Sequence, residues 1–292
     1  HWVLYDTDVF EVRGIDEYLH IKKLWCAPHI PVNATTCHLM FRGCGNIDFS
    51  NFYTNNVVDM SYMFYNADNT IKLDLSRFDT RNIVEMRCMF MNCKNLKQLD
   101  LSGFSTGNVC EMTNMFFRCS SIEQVNLSGL DTHNVEYMGQ MFYGCESLKQ
   151  IDLSSFNTEK VLYMVEMFSN CKSLKQLDLS HFNTEKVVSM QHMFTNCSEL
   201  EQLNISNFDT RCTSFMDGMF WGCLRLTNLD VSRFDMGEED GTRGMFGYCS
   251  ALKYLKVNHS FSQMSETSLP EEVKIIVVPK SDNTSDKLSK LN

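Results

Sequence analysis

Leu99-Asp100-Leu101-Ser102-Gly103-Phe104-Ser105-Thr106 opens by alternating apolar and polar side chains. Leu99 and Leu101 therefore point to one side and Asp100 and Ser102 to the other, the pattern of a short strand with one buried face. The apolar residues that follow, Val109, Met112, Met115, Phe116, Cys119 and Ile122, are separated by three, three, one, three and three positions. That spacing predicts a helical stripe. Between the two parts, Asp79-Thr80, Asp131-Thr132, Asn157-Thr158, Asn183-Thr184 and Asp209-Thr210 read as caps where a helix or 3₁₀ turn begins.

The same unit recurs along the chain. Met63, Met89, Met115, Met141, Met167, Met193, Met219 and Met245, each followed by Phe, are spaced by 26 residues. Asp48, Asp74, Asp100, Asn126, Asp152, Asp178, Asn204 and Asp230 share the period, and Lys256 continues it, giving nine strand-like segments. A single unit cannot bury both its strand face and its second apolar stripe, so stability must come from stacking neighbours. At about 4.8 Å per strand, the product is one parallel sheet roughly 38 Å long, curved into a rod. Repetition also explains the bias toward 19 Met, 21 Phe and 13 Cys beside only 4 Pro in 292 residues.

The period divides the chain into an N-terminal cap over residues 1–40, a solenoid over 41–258 and a C-terminal cap with a polar tail over 259–292. The cap contains the apolar-rich stretches Trp2-Val3-Leu4-Tyr5 and Val9-Phe10-Glu11-Val12, while 273–278 is strand-like and suited to closing the stack. Met40-Phe41-Arg42-Gly43-Cys44 carries the repeat signature three residues out of phase, and Glu239 and Thr242 interrupt the last stripe. A chain that starts at His1 without a signal-peptide layout reads as a mature or excised fragment.

Including Leu96, the quoted copy reads L-x-x-L-x-L-x-x-F, the strand signature of leucine-rich repeats with Phe104 in the place usual for Asn or Cys. Phe52, Phe78, Phe156, Phe182, Phe208 and Phe234 share its column, with Leu130 as the substitute, which predicts a buried aromatic spine in place of a hydrogen-bonding ladder. The full pattern, Leu-Asp-Leu-Ser-x-Phe-Asp-Thr and then x-x-Val-x-x-Met-x-x-Met-Phe-x-x-Cys-x-x-Leu, resembles the BspA-like leucine-rich repeat family over roughly residues 37–258. The resemblance implies an α/β repeat fold, a right-handed solenoid with one parallel sheet and short helices or 3₁₀ turns on the convex side. It also implies secretion or attachment to a bacterial surface, with adhesion or host interaction as the role. Leu269-Pro270-Glu271-Glu272 lacks the Thr-Gly of a sortase anchor and reads as a loop.

The chemistry-bearing columns have bland readings beside sharper ones. Cys93, Cys119, Cys145, Cys171, Cys197, Cys223 and Cys249 form a column in which Ala67 fills one place. Seven thiols cannot all pair, and no Cys-x-x-Cys knuckle suits zinc, so small buried thiols are expected. The Met columns suit core packing better than copper. Alternation puts the Asp column on the exposed strand face, where stacked carboxylates repel. Relief could come from the Ser column, from Asn126 and Asn204, from bound cations, or from bending toward backbone N–H groups. A structural ladder is the default, with cation or basic-ligand binding the alternative.

Asp74, Asp100, Asp152, Asp178, Asp230, Gln98, Gln150 and Gln176 are thus the candidate ligand-binding residues of the concave face. Specificity on such a scaffold would lie in irregular exposed positions, among them His133, His181, Arg77, Arg81, Arg211 and Arg233. The formal charge of −10 disfavours nucleic acid as a partner. No apolar run suits a membrane span, the stretch 235–241 lacks the ligand order of a calcium loop, and no catalytic constellation is spaced for chemistry. The expectation is a monomeric, non-enzymatic extracellular or cell-surface protein without metal or cofactor. It would bind a host or other extracellular protein, or alternatively serve as a structural spacer.

Overall fold

A computed structural model of the chain describes residues 23–25, 35–49, 52–235, 241–259, 261 and 268–278. The expected apolar stretches at 2–5 and 9–12, Glu239 and the polar tail from Ser281 lie outside the described residues. The strands are β1 Lys23–Trp25, β2 Asn46–Asp48, β3 Gln98–Asp100, β4 Gln124–Asn126, β5 Gln176–Asp178, β6 Gln202–Asn204, β7 Asn228–Asp230, β8 Tyr254–Val257 and β9 Lys274–Val277. Where strands pair, they run parallel and match equivalent residues of adjacent coils, as in Gln98↔Gln124 and Gln176↔Gln202.

The expected single sheet is interrupted. The order is β1-β2, β3-β4, β5-β6 and β7-β8-β9, and the segments around Asp74 and Asp152 form no strand. Strands β3 to β7 are three residues long because the column Asp or Asn captures the N–H two residues on. Ser102 N–H donates to Asp100 at 2.9 Å and Ser154 N–H to Asp152 at 2.9 Å, which withdraws those donors from any ladder. A second line of parallel bridges is continuous where the sheet is not, running through Asp59, Glu85, Glu111, Tyr137, Tyr163, Ser189 and Phe215.

The predicted helical stripe is overturned: the described residues contain no α-helix. From Met112 onward the amides alternate between two kinds of partner. Met115, Phe117 and Cys119 donate to the carbonyls of Met112, Asn114 and Phe116, closing three-residue turns. Met112, Asn114, Phe116 and Arg118 instead donate to Tyr137, Gly139, Met141 and Tyr143 of the next coil. Asn114 and Arg118 sit in the left-handed region, at φ 59° and 56°, and these reversals stop the turns from propagating as a helix. Turns that return to the same side every few residues mimic the spacing of a helical stripe. A helix, however, would spend every amide on itself and leave none to hold the neighbouring coil.

The apolar columns pack between the two ladders. Phe64, Phe90, Phe116, Phe142, Phe168, Phe194, Phe220 and Phe246 are wholly buried and stack with centroids 5.4–5.8 Å apart. The Phe104 column is buried and less regular, with centroids 5.5 Å apart for Phe52–Phe78, 6.5 Å for Phe78–Phe104 and 6.4 Å for Phe208–Phe234. A hydrogen-bonding ladder therefore stands beside that spine, not replaced by it, and buried threonines supply it. Thr132 Oγ1 donates to Asn157 O and accepts from Asn157 N–H, both at 2.8 Å, and Thr106, Thr158, Thr184 and Thr210 repeat the exchange.

The Asp-Thr pairs are accordingly not helix caps: Thr staples coils, and the Asp or Asn accepts the N–H two residues on. The phase slip at Met40-Phe41 is a coil three residues short. Lys23 pairs with Asn46, Phe41 N–H donates to Met63 O at 2.8 Å, and Phe41 stacks on Phe64 at 5.6 Å.

Candidate functional site: the strand face

Strands β3 to β7 each present two side chains outward, flanking one that is directed toward the core. On β3 these are Gln98 and Asp100 around buried Leu99, and on β5 Gln176 and Asp178 around buried Leu177. Stacking the coils turns them into an amide row, Gln98 to Gln202 with Asn228, beside a carboxylate and amide row, Asp74 to Asp230. The face is hollowed: a depression of about 990 Å³ runs over Gln124 to Asn228 and includes Gln150, Asp152, Gln176 and Asp178. A smaller one of about 550 Å³ covers Lys72 to Asn126 and includes Asp74, Gln98 and Asp100. Seven of the eight sequence-predicted residues thus line two adjoining hollows. Asp230 lies outside both and pairs with Lys256 at 2.7 Å.

Asp74, Asp100, Asp152 and Asp178 are kept ionised chiefly by hydrogen bonds within their own coil. Asp74 is held below the usual carboxylate range by the hydroxyl and N–H of Ser76. For Asp100, Asp152 and Asp178 the N–H of the Ser two residues on acts first and its hydroxyl second. Asn126 adds a hydrogen bond to Asp100, and Asn204 one to Asp178. Asp230 is pushed up by partial burial, but Lys256 and Ser232 outweigh this and leave it lowered. Bending toward N–H groups, the Ser column and the two Asn substitutes therefore all relieve the repulsion. Among the described residues no group of three or more His, Cys, Asp or Glu is placed to hold a metal.

Several irregular polar residues are engaged with their own coil or the one before it. Arg81 and Arg211 fold back on Asp79 and Asp209 at 2.6 Å, and His133 on Asp131 at 2.7 Å. His181 Nε2 lies 2.8 Å from Leu153 O, and Arg233 reaches Asn207 at 3.2 Å. The thiol column is fully buried, and each Sγ lies 3.0–3.3 Å from a Phe carbonyl oxygen 29 residues earlier, from Cys93 on Phe64 to Cys249 on Phe220. Burial pushes Cys197 and Cys249 up to about 12.

Sequence reading passed over the opposite, turn-built surface. Its exposed aromatics are Tyr137 stacked on Tyr163 at 5.6 Å, Phe215, and Trp221 against Tyr248 at 4.7 Å. The signal for a hollow there was the run Gly218, Gly222, Gly244 and Gly247, in columns that carry side chains in most other coils.

No curated protein matches the chain. Among solved structures it is similar to a leucine rich cell surface protein from Faecalibacterium prausnitzii, at 13% identity and TM-score 0.36, covering 91% of this chain and 81% of that one. It is also similar to a leucine-rich repeat protein from Bacteroides ovatus, at 14% identity and TM-score 0.37, covering 88% and 66%. Both likenesses are loose. The family described as "Mycoplasma protein of unknown function, DUF285" matches twice, over residues 35–151 and 147–264. With most of the 26-residue coils inside those two spans, the chain belongs to that family.

Proposed function

We propose that the chain is a surface-exposed or secreted recognition scaffold that binds a protein through its strand face. The supporting observation is the pair of exposed rows, amide and carboxylate, held on a hollow of about 990 Å³. Gln124, Gln150, Gln176 and Gln202 each offer a donor and an acceptor at the spacing of the coils, and the carboxylates accept only. Such a face suits an extended polypeptide with its own amides and some positive charge, laid along the coils. The resemblance to BspA-like repeats agrees with adhesion to a host or other cell as the biological setting.

The test is binding of the immobilised chain to a panel of extracellular proteins, repeated with Gln150→Ala, Gln176→Ala and Asp178→Asn combined. Saturable binding that the triple variant loses by about tenfold or more supports the reading. Saturable binding untouched by these substitutions removes the strand face from it, and absence of any saturable partner favours a spacer.

A further inference from the structure

The column Tyr62, Cys88, Asn114, Gln140, Glu166 and His192 carries a side chain on each successive coil, always at positive φ, and then empties at Gly218 and Gly244, at φ 57° and 61°. Those two bare rungs line an open, shallow hollow of about 660 Å³ on the turn-built surface. His192, Asp217, Trp221 and Arg243 wall it.

The tryptophan is held in place by absences. In its own column Phe117 stacks on Tyr143 at 4.7 Å, but the rung after Trp221 is Gly247. A Cβ there would stand 2.3 Å from the indole, so the ring lies down over Gly247 and against Gly244. Tyr248 braces it at 4.7 Å, and Trp221 as a residue remains 37% exposed. Likewise a Cβ at Gly218 would meet His192 Nδ1 at 2.4 Å, so the imidazole occupies the space above that glycine. Asp217 is fixed from two sides, by Gln191 Nε2 on one oxygen at 2.8 Å and by Arg243 N–H on the other at 3.1 Å.

We propose that this hollow binds a saccharide, one or two pyranose units in size. A π face carries negative charge density and attracts the weakly positive C–H face of a sugar ring. The ring's hydroxyls both donate and accept. The Asp217 carboxylate and the His192 imidazole supply an acceptor and a planar ring for the hydroxyls of a sugar. Asp217 and Arg243 bring opposite formal charges to the same wall, which favours a neutral polyhydroxylated ligand over a simple ion. The site is separate from the strand face and does not depend on its function.

The experiment is a glycan array with the full chain, followed by titration of hits by calorimetry and by tryptophan emission. Trp221→Ala removes the platform, and Gly244→Asn restores a side chain to the empty rung with a residue that tolerates the left-handed region. Thermal melts establish that both variants fold. Binding lost by about tenfold or more in each folded variant, and unchanged in Asp178→Asn, is the expected result. No saccharide binding below ~10 mM, binding that survives both substitutions, or a Trp221-dependent protein ligand with no glycan on the array would each overturn the proposal. If Gly244→Asn alone fails to fold, Asp217→Asn takes its place with the same expected loss.

Discussion

At the scale of residues, the coils are joined by groups that sequence reading had assigned other tasks. Thr132 is buried, and its hydroxyl completes two backbone partners on Asn157. Thr132→Val keeps the shape and deletes both bonds, with an expected cost of about 1–2 kcal/mol in urea unfolding. That is the lower end for two unmet backbone groups, because Asn157 is itself exposed to water. Thr132→Ser keeps the hydroxyl and loses only a methyl group, about 0.8 kcal/mol. If Val and Ser cost the same, the hydroxyl bridge is not what holds the coils there. Thiol chemistry divides in the same way. Cys212 is exposed, whereas the column cysteines are buried with their thiols on carbonyl oxygens. Alkylation of the native protein mapped by mass spectrometry should label Cys212 first and leave Cys119 to Cys249 of the column unlabelled until denaturant is added.

At the scale of the element, the short strand ends where Asp takes the N–H of the following Ser. The folded state holds Asp74, Asp100, Asp152 and Asp178 below the ordinary value of 3.8, so their hydrogen bonds stabilise it fully above that pH. The contribution is lost as pH falls through the lowered folded values. Asn126 and Asn204 make the same turn without charge, at 3.2 and 3.3 Å. Replacing all four Asp by Asn should keep the fold and flatten the fall of the urea midpoint below about pH 4. An unchanged acid limb would place the titrating groups elsewhere. The turn segments repeat this logic, since Asn66, Asn92, Asn170 and Asn196 occupy left-handed rungs that a helix would not tolerate.

At the scale of the whole molecule, each coil contacts chiefly its neighbours, and the same 26-residue offset recurs from Asp59 to Phe215 in the second ladder. Excision of 26 residues, 130–155, should therefore leave a folded, shorter solenoid with a cooperative melt. Removal of 13 residues from the same place would set the Phe stack against polar positions and should abolish the fold. The tolerated exception is already present at the N-terminal end, where the coil before Asn46 is three residues short and still aligns Phe41 on Phe64.

The sequence by itself determined the period, the register of the coils and which columns are buried, because a repeated spacing allows only one in-phase stack. Leu99, Met115, Phe116 and Cys119 are in the core, and Asp100 and Gln98 are on the face, as their alternation and spacing required. Only the tertiary structure decided how the second half of each coil satisfies its amides. A three-residue spacing is common to a helix and to a run of turns, and the choice rests on hydrogen bonds to another coil, 25 residues away in sequence. Tertiary structure alone also decided that the Asp row is relieved locally and that Trp221 lies down over Gly247. The second depends on the side chain missing from the adjacent rung.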